Sequence, residues 1–547
     1  LDYLTASNRK SFGDEVPEFD NGDLDATGKR VVVIGGGDTA MDCVRTAIRQ
    51  GALSVKCLYR RDRANMPGSQ RETQNAEEEG VEFVWLSAPK GFTGGTEVDG
   101  VMVQKMRLGA PDATGRQSPE VIEGAVPFLH GSQGCATYMR RYVISHFREP
   151  IDIASSSLGE KHAVYGGGPN LKLGVKNVTK KYGAKLIGVA TTCLTETIGD
   201  DVPFLLKEYK RDVEDLPPEE APILVNVSTP SYSGTHMEGF HAAVRAVVDQ
   251  VATEAAKNAS VNVFPGFMTP AEIRHLKEIF EDFSLDETIL PDISDTLDAP
   301  VLEEYKKIPE GGTPIEEIRR MSGAMASIEI GRTVETRLSA GELLNGKFGV
   351  PAYKTGMPIG LRECDAFFEL LEKISSYETP EKYAGERGRL VDSYIDAHKY
   401  IFNKRAIVYG EEDLVVGITS FLTEIGVRPV LCASGGQSGL LAGAIEEVTK
   451  GILPESPVVR HGVDFYDIAE EAEGLAPDII IGHSKGYHLA RRWNIPHVRV
   501  GFPIHDRFGG QRLLNIGYRG TQDLLDRVVN AFIEKKQEDS PVGYGYM

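Results

Sequence analysis

Short apolar segments alternate with longer amphipathic segments through most of the chain, and this alternation limits the fold more than any other feature. The apolar segments predict strands at 30–34, 54–59, 185–190, 223–227, 261–264, 350–353, 405–409, 429–432, 478–481 and 497–500. The amphipathic segments predict helices at 41–50, 238–256, 270–283, 364–376, 387–402, 413–425 and 521–535. Strands that alternate with helices build parallel sheets through right-handed crossovers.

The length of 547 residues is too great for one sheet, so the fold class is α/β with several domains. We expect a partial Rossmann-like domain over residues 1–124. Three Rossmann-like lobes with parallel sheets should follow, at 125–255, 256–395 and 396–547.

The composition narrows the possible partners. A net charge of −20 argues against nucleic acid and against an anionic membrane surface. No apolar run approaches the roughly 20 residues of a membrane-spanning helix, and the first residues lack the pattern of a signal peptide. The expected location is therefore the cytoplasm.

A glycine-rich turn follows the first predicted strand. Gly35, Gly37 and Ala40 stand in G-x-G-x-x-A register between this strand and a helix, the setting of a dinucleotide pyrophosphate site. Arg60 and Arg61 end the second strand, where an acidic residue would bind a ribose 2′-hydroxyl. Two arginines there favour a 2′-phosphate, and hence NADPH, although a solvated strand end is the alternative.

The six cysteines fall into two groups. Cys43, Cys57, Cys364 and Cys432 lie in apolar patterns typical of small core residues. Cys135 stands in a turn before a helix and Cys193 closes a predicted strand. The pattern alone leaves two alternatives for this second pair, which are iron–sulfur ligation and burial in the core.

The first segment, with RRDRANMPG at 60–68, resembles the NADPH-binding insert of the glutamate synthase small subunit. That family joins the insert to an FAD domain and a cysteine-rich iron–sulfur domain. This chain has neither the second G-x-G-x-x-G nor the cysteine-rich region, so the resemblance implies NADPH binding without a hydride path to FAD.

The chain after about residue 125 resembles the β-type subunits of nitrogenase component 1. The motifs are HGSQGC at 130–135, HFREP at 146–150, TTCL at 191–194, GDD at 199–201, TPSY at 229–232, ERGRL at 386–390 and GFP at 501–503. The resemblance implies that in the catalytic β chain Cys135 and Cys193 ligate a P-cluster-like iron–sulfur cluster at the subunit interface, with Ser231 as an oxidation-dependent ligand. For the scaffold subunit it implies that Cys135 helps to hold a simpler cluster, such as 4Fe-4S. It also implies an α-type partner in an α2β2 heterotetramer, the nitrogenase iron protein as a second partner, and no activity without the α-type subunit.

Two roles are open within this family. A third cluster cysteine of the catalytic β chain lies upstream of the first motif, whereas no cysteine stands between Cys57 and Cys135 here. A complete P-cluster needs every thiolate, so this difference favours the scaffold subunit of FeMo-cofactor assembly. Cys193 and Ser231 favour the alternative, the catalytic molybdenum–iron β chain. A further alternative is an NADPH-dependent oxidoreductase fragment in a chimeric chain.

The junction near residue 124 has no linker rich in glycine, serine or proline. The first segment lacks the regions that flank the NADPH-binding insert on both sides in its family. The second segment lacks the region with which its own family begins. This favours a recombined reading frame over a natural fusion that supplies NADPH electrons.

Overall fold

The computed structural model describes residues 2–35, 38–59, 70–85, 87–94, 98–105, 122, 124–214, 217, 221–300 and 311–543. The backbone divides into two compact units, the larger of which contains residues 117–300 and 308–547. Each unit is described separately below.

The first unit is built around a parallel three-stranded sheet in the order β1-β2-β3. Its elements are α1 (Asp2–Ser11), α2 (Pro17–Asp20), β1 (Arg30–Ile34), α3 (Asp38–Arg49), β2 (Ser54–Tyr59), α4 (Gln70–Glu78), β3 (Glu82–Trp85) and the hairpin strands β4 (Ser87–Gly94) and β5 (Val98–Lys105). Met41, Val44 and Ala47 of α3 are buried with Cys57 of β2 in one small core. Strand, helix and strand therefore follow one another as the sequence predicts.

The first sheet of the second unit is parallel, in the order β7-β6-β8-β9. Its elements are β6 (Ala125–His130), α5 (Gln133–Phe147), β7 (Ala154–Ser155), α6 (His162–Tyr165), α7 (Gly168–Tyr182), β8 (Leu186–Thr191), α8 (Cys193–Ile198), α9 (Val202–Asp212), β9 (Ile223–Val227) and α10 (His236–Val251). Phe128, Leu171 and Ile187 are fully buried between the sheet and its helices.

The second sheet has the order β11-β10-β12-β13 and is also parallel. Its elements are β10 (Ser260–Phe264), α11 (Pro270–Asp282), β11 (Asp286–Ile289), α12 (Ile315–Arg320), β12 (Ala326–Ile330), α13 (Ala340–Phe348), β13 (Ala352–Thr355) and α14 (Leu361–Ser375).

The third sheet is parallel, in the order β16-β15-β14-β17-β18. Its elements are α15 (Glu381–Ile401), β14 (Arg405–Tyr409), α16 (Glu412–Glu424), β15 (Arg428–Ala433), α17 (Leu441–Thr449), β16 (Val458–Arg460), α18 (Phe465–Ala472), β17 (Ile479–Gly482), α19 (Tyr487–Trp493), β18 (His497–Arg499) and α20 (Gly517–Asp539). One continuous core joins the second and third sheets.

The predicted α/β class and the three parallel-sheet lobes are confirmed, whereas the predicted boundaries at 255 and 395 stay predictions. Among the described residues, no helix combines the length and the apolar character needed to cross a bilayer.

Candidate metal centre

The three predicted metal ligands follow three neighbouring strands of the first sheet. Cys135 comes after β6, Cys193 after β8 and Ser231 after β9. In the register of the sheet His130 pairs with Thr191, and Ala190 pairs with Val227. Because the strands are parallel, their carboxyl ends meet at one edge, where ligands of such sheets bind. The topology thus brings all three predicted residues to the same edge.

The loops after β6 and β8 pack directly on each other. The Thr192 amide and hydroxyl both donate to the His130 carbonyl, each at 3.1 Å. Gly131 lies so close to Thr192 that a Cβ atom at this glycine would overlap the threonine side chain. Glycine is therefore required for this approach of the two loops.

Cys193 and Ser231 form the closest contact within the candidate site. The Cys193 Sγ lies 2.9 Å from the Ser231 Oγ and accepts a hydrogen bond from the Ser231 amide at 3.2 Å. Hydrogen bonds from Ser231, first from its hydroxyl and then from its amide, lower the pKa of the Cys193 thiol. Such bonds favour the thiolate, which is the form that binds metal.

The position of Cys193 differs slightly from the prediction. The residue does not close a strand, because β8 ends at Thr191 and Cys193 is the first residue of α8. Thr192 caps this helix together with Thr195, in a reciprocal pair of side-chain and backbone hydrogen bonds. The cap fixes the backbone from which the thiol projects.

Cys135 lies in the first turn of α5 and is exposed, and Cys193 is only partly buried. The Ser132 Oγ is the polar contact of Cys135, 3.6 Å from its sulfur. The alternative that both cysteines are buried core residues is therefore wrong. By contrast, Cys57, Cys364 and Cys432 are buried as predicted, whereas Cys43 is only partly buried.

Buried polar groups beneath these loops hold them in place. His130 is fully buried, with Nδ1 2.9 Å from the Ser156 Oγ and Nε2 3.1 Å from Asp200 Oδ2. Burial lowers the pKa of His130, so the imidazole is a neutral structural group. Glu196 accepts hydrogen bonds from Thr191 and Ser228, each at 2.5 Å, and so ties the loop after β8 to the loop after β9.

The donor atoms suit an iron–sulfur cluster, which takes cysteine thiolates and, less often, an oxygen ligand. Among the described residues, no three His, Cys, Asp or Glu side chains converge into a group that could hold a metal ion.

Comparison with known proteins identifies the family. Residues 120–533 match the family model of nitrogenase component 1 type oxidoreductases. The chain belongs to the nitrogenase component 1 family. It is 34% identical over 419 residues to the nitrogenase molybdenum-iron protein beta chain of Clostridium pasteurianum, which covers 76% of this chain and 90% of that protein.

The name of a second relative of this nitrogenase component 1 chain gives a different role. The nitrogenase iron-molybdenum cofactor biosynthesis protein NifN of Bradyrhizobium diazoefficiens is 32% identical over 424 residues, covering 76% of this chain and 87% of that protein. Among solved structures, nitrogenase Cp1 at pH 6.5 superposes with a TM-score of 0.74 at 32% identity, covering 82% of this chain and 98% of that one. The relatives of this chain thus include a nitrogenase β chain and a cofactor biosynthesis protein, which are the two roles that the sequence leaves open.

The first unit of this nitrogenase component 1 chain has its own match. Residues 6–110 fit the family model of pyridine nucleotide-disulphide oxidoreductases. Gly35 has φ of 144° at the end of β1, and a Cβ atom at this glycine would lie 3.6 Å from the Ala40 Cβ of α3. Gly37, Arg60 and Arg61 lie outside the described residues.

Proposed function

We propose that this β-type chain carries an iron–sulfur cluster at its interface with an α-type subunit, and that Cys135 and Cys193 are its ligands from this chain. The observation that supports the proposal most strongly is the placement of two accessible thiols at one carboxyl edge, one of them hydrogen-bonded by Ser231. Ser231 would be a further ligand that depends on the oxidation state of the cluster. The bound cluster would supply electron transfer, and this chain would hold it and shield it from water.

Exposed aromatic side chains near the thiols support an interface at this edge. Tyr138 on α5 is 63% exposed, and Tyr232 beside Ser231 is 66% exposed. Met139 and Tyr142 of α5 are exposed as well. Tyrosine and methionine are enriched at the centres of protein–protein interfaces, so their exposure here favours a contact surface. The partner would be an α-type subunit in an α2β2 heterotetramer.

Between the two roles in the family, we favour the scaffold of FeMo-cofactor assembly. The chain has no cysteine between Cys57 and Cys135, so the upstream thiolate of a full P-cluster is missing from the sequence. The contact of 2.9 Å between Cys193 and Ser231 supports the alternative, a catalytic β chain. In either role the nitrogenase iron protein would be the electron-donating partner.

The test is co-expression with an α-type subunit, followed by measurement of iron and of the electron paramagnetic resonance spectrum. We expect the wild-type heterotetramer to hold iron, and Cys135→Ala and Cys193→Ala each to lose most of it, at least about tenfold, because each removes a thiolate ligand.

The matched control is Cys43→Ala, a half-buried cysteine in the first unit, which should keep its iron. A wild-type complex that assembles without iron would refute the proposal, as would equal iron in all three variants. The same iron measurement distinguishes the two roles, because a P-cluster and a 4Fe-4S cluster contain different amounts of iron for each cysteine ligand.

A second candidate function concerns the first unit. Its match to pyridine nucleotide-disulphide oxidoreductases and the glycine turn between β1 and α3 favour NADPH binding. Arg60→Ala and Arg61→Ala should each weaken NADPH binding about tenfold or more, through loss of a phosphate contact of about 1.5–3 kcal/mol. Binding of NADH is the control and should change little. Absence of NADPH binding by the intact chain would remove this candidate.

A further inference from the structure

Two parts of the candidate metal centre are connected at more than one point. These are the first turn of α8 and the segment 228–231, which follows β9. One connection is the contact between Cys193 and Ser231, with 2.9 Å between sulfur and oxygen. Glu196 stands three residues after Cys193 on α8, and residues three apart share one helix face. Ser228 likewise precedes Ser231 by three residues. A second connection can therefore lie beside the first.

Glu196 forms this second connection. Its Oε1 accepts hydrogen bonds from the hydroxyls of Ser228 and Thr191, each at 2.5 Å. Hydrogen bonds to an ionised carboxylate are shorter and stronger than those between neutral groups. The Thr191 hydroxyl accepts in turn from the Thr229 amide at 2.9 Å, and the Thr229 hydroxyl donates to the Thr191 carbonyl at 2.8 Å. Glu196 thus fixes the backbone immediately before the proposed serine ligand.

The contact between Cys193 and Ser231 differs from these bonds, because it must change when Ser231 binds iron. The Ser231 amide donates to the Cys193 sulfur at 3.2 Å, and the Ser231 hydroxyl lies beside the same sulfur. A Ser231 oxygen bound to iron no longer donates a proton to sulfur, whereas the bonds of Glu196 involve no proposed ligand and can persist. A backbone that is already ordered loses less entropy when its side chain binds, so Glu196 favours ligation by Ser231.

Given the iron–sulfur cluster of the proposed function, we propose that Glu196 is the positioning residue for the oxidation-dependent ligand Ser231. It acts by holding the segment 228–231 against α8. In the oxidation step the Ser231 oxygen forms a bond to iron, its hydroxyl proton passes to water, and one electron passes to an external redox mediator. Because the fixed segment favours the ligated state, Glu196 stabilises the oxidised form and lowers the midpoint potential.

The first experiment is a potentiometric titration of the heterotetramer with its α-type subunit, followed by electron paramagnetic resonance. Glu196→Ala should disfavour ligation by Ser231 about tenfold, which raises the midpoint of a one-electron step by about 59 mV. Ser228→Ala removes the other partner of the same hydrogen bond and should shift the midpoint in the same direction. Bound iron with an unchanged midpoint in Glu196→Ala would overturn the proposal.

The variant Glu196→Gln separates the position of the side chain from its charge. The amide oxygen of glutamine can still accept from both hydroxyls, so most of the wild-type midpoint should be restored. An equal shift in Glu196→Gln and Glu196→Ala would show that the charge acts alone, and would contradict the positioning role. The matched control is Glu208→Ala, which removes a carboxylate of α9 that pairs with Lys172 at 3.2 Å and should leave the midpoint unchanged.

A double variant tests whether Glu196 acts through Ser231. Two residues that act through one interaction have effects that do not add. Glu196→Ala combined with Ser231→Ala should therefore have the same midpoint as Ser231→Ala alone. A further shift in the double variant would show a separate effect of Glu196 and would refute the proposal.

Hydrogen exchange on the intact chain without iron measures the connection in the absence of a cluster. The amides of Thr229 and Ser231 both donate across to the other segment, and they should exchange about tenfold faster in Glu196→Ala, with Glu196→Gln close to wild type. Unchanged exchange in Glu196→Ala would overturn the positioning role alone. A wild-type complex that holds no iron would instead refute the proposed function, so the two failures are distinguishable.

Discussion

The second unit contains two pairs of cysteines in opposite environments. Cys135 and Cys193 lie in the first turns of α5 and α8, beyond the carboxyl ends of β6 and β8, where they are exposed or partly exposed. Cys364 and Cys432 lie inside the core shared by the second and third sheets. Hydrogen bonds from Ser231 lower the pKa of Cys193, whereas burial raises the pKa of Cys432 to about 12 and raises the pKa of Cys364 well above its usual value.

The difference shows that position relative to the sheet decides what a thiol can do. The packed core surrounds sulfur with apolar atoms, and the thiolate has no solvation there. The loop beyond a strand offers backbone amides and hydroxyl groups instead. The Cys364 Sγ donates to the Pro358 carbonyl at 3.1 Å, which favours the neutral thiol, while Cys193 accepts from Ser231.

The largest expected effect of this difference is on alkylation. In the chain stripped of iron at pH 8, Cys193 should react with iodoacetamide roughly a thousandfold faster than Cys432, because the thiolate is the nucleophile and each pKa unit changes its fraction tenfold. Mass spectrometry of the peptides over time measures both rates in one sample. Equal labelling of Cys432 and Cys193 in the folded chain would break the comparison.

A smaller effect concerns the other end of α5, the helix that begins near exposed Cys135. His146 is buried there, and its Nδ1 accepts from the Ile504 amide at 2.9 Å. Burial lowers the pKa of His146 to about 4. The unfolded chain, with a histidine pKa near 6.5, therefore binds a proton below that pH that the folded chain does not bind.

This linkage predicts full stability above about pH 6.5 and a progressive loss toward pH 4. His146 should account for about 2 kcal/mol of destabilisation between pH 7.5 and pH 5. Urea unfolding at several pH values measures the loss, and His146→Gln should reduce its pH dependence. Exposed His488 is the control position, and His488→Gln should leave the dependence unchanged. An unchanged dependence in His146→Gln would contradict the prediction.

The strands that were predicted correctly share a simple pattern. β9 and β14 have the bounds expected from the sequence, because apolar residues fill most positions of each. β11 and β12 were missed, since they carry Thr288, Ser327 and Glu329 in buried positions. Glu329 is tolerated inside because the Ser339 hydroxyl donates to it at 2.6 Å, a tertiary contact that no local pattern reveals.

The ends of helices also depend on tertiary contacts that no local pattern reveals. α10 was expected to continue to residue 256 but ends at Val251, because the following segment bonds to another part of the chain. The Thr253 amide donates to the Arg319 carbonyl and the Asn258 amide to the Gly323 carbonyl. Helix α15 begins at Glu381 rather than at the expected residue 387. Pro380, immediately before its first residue, is a sequence signal for the start of a helix.

The candidate site could be predicted only in part from residue patterns. The strand order that brings Cys135, Cys193 and Ser231 to one edge of the sheet is a long-range property, since 96 residues separate the first from the last. The contact of Ser231 with Cys193 depends on how segments after different strands meet. The resemblance to the family indicated that both residues belong to one site.

The contact between Gly131 and Thr192 has a consequence for anyone who would move this site into another protein. A Cβ atom at Gly131 would overlap Thr192, so the residue without a side chain sets how far apart the two cysteine-bearing loops stand. Transplanting only the sulfur ligands onto a different doubly wound scaffold would therefore leave them too widely separated. A successful graft must carry the glycine along with the thiols.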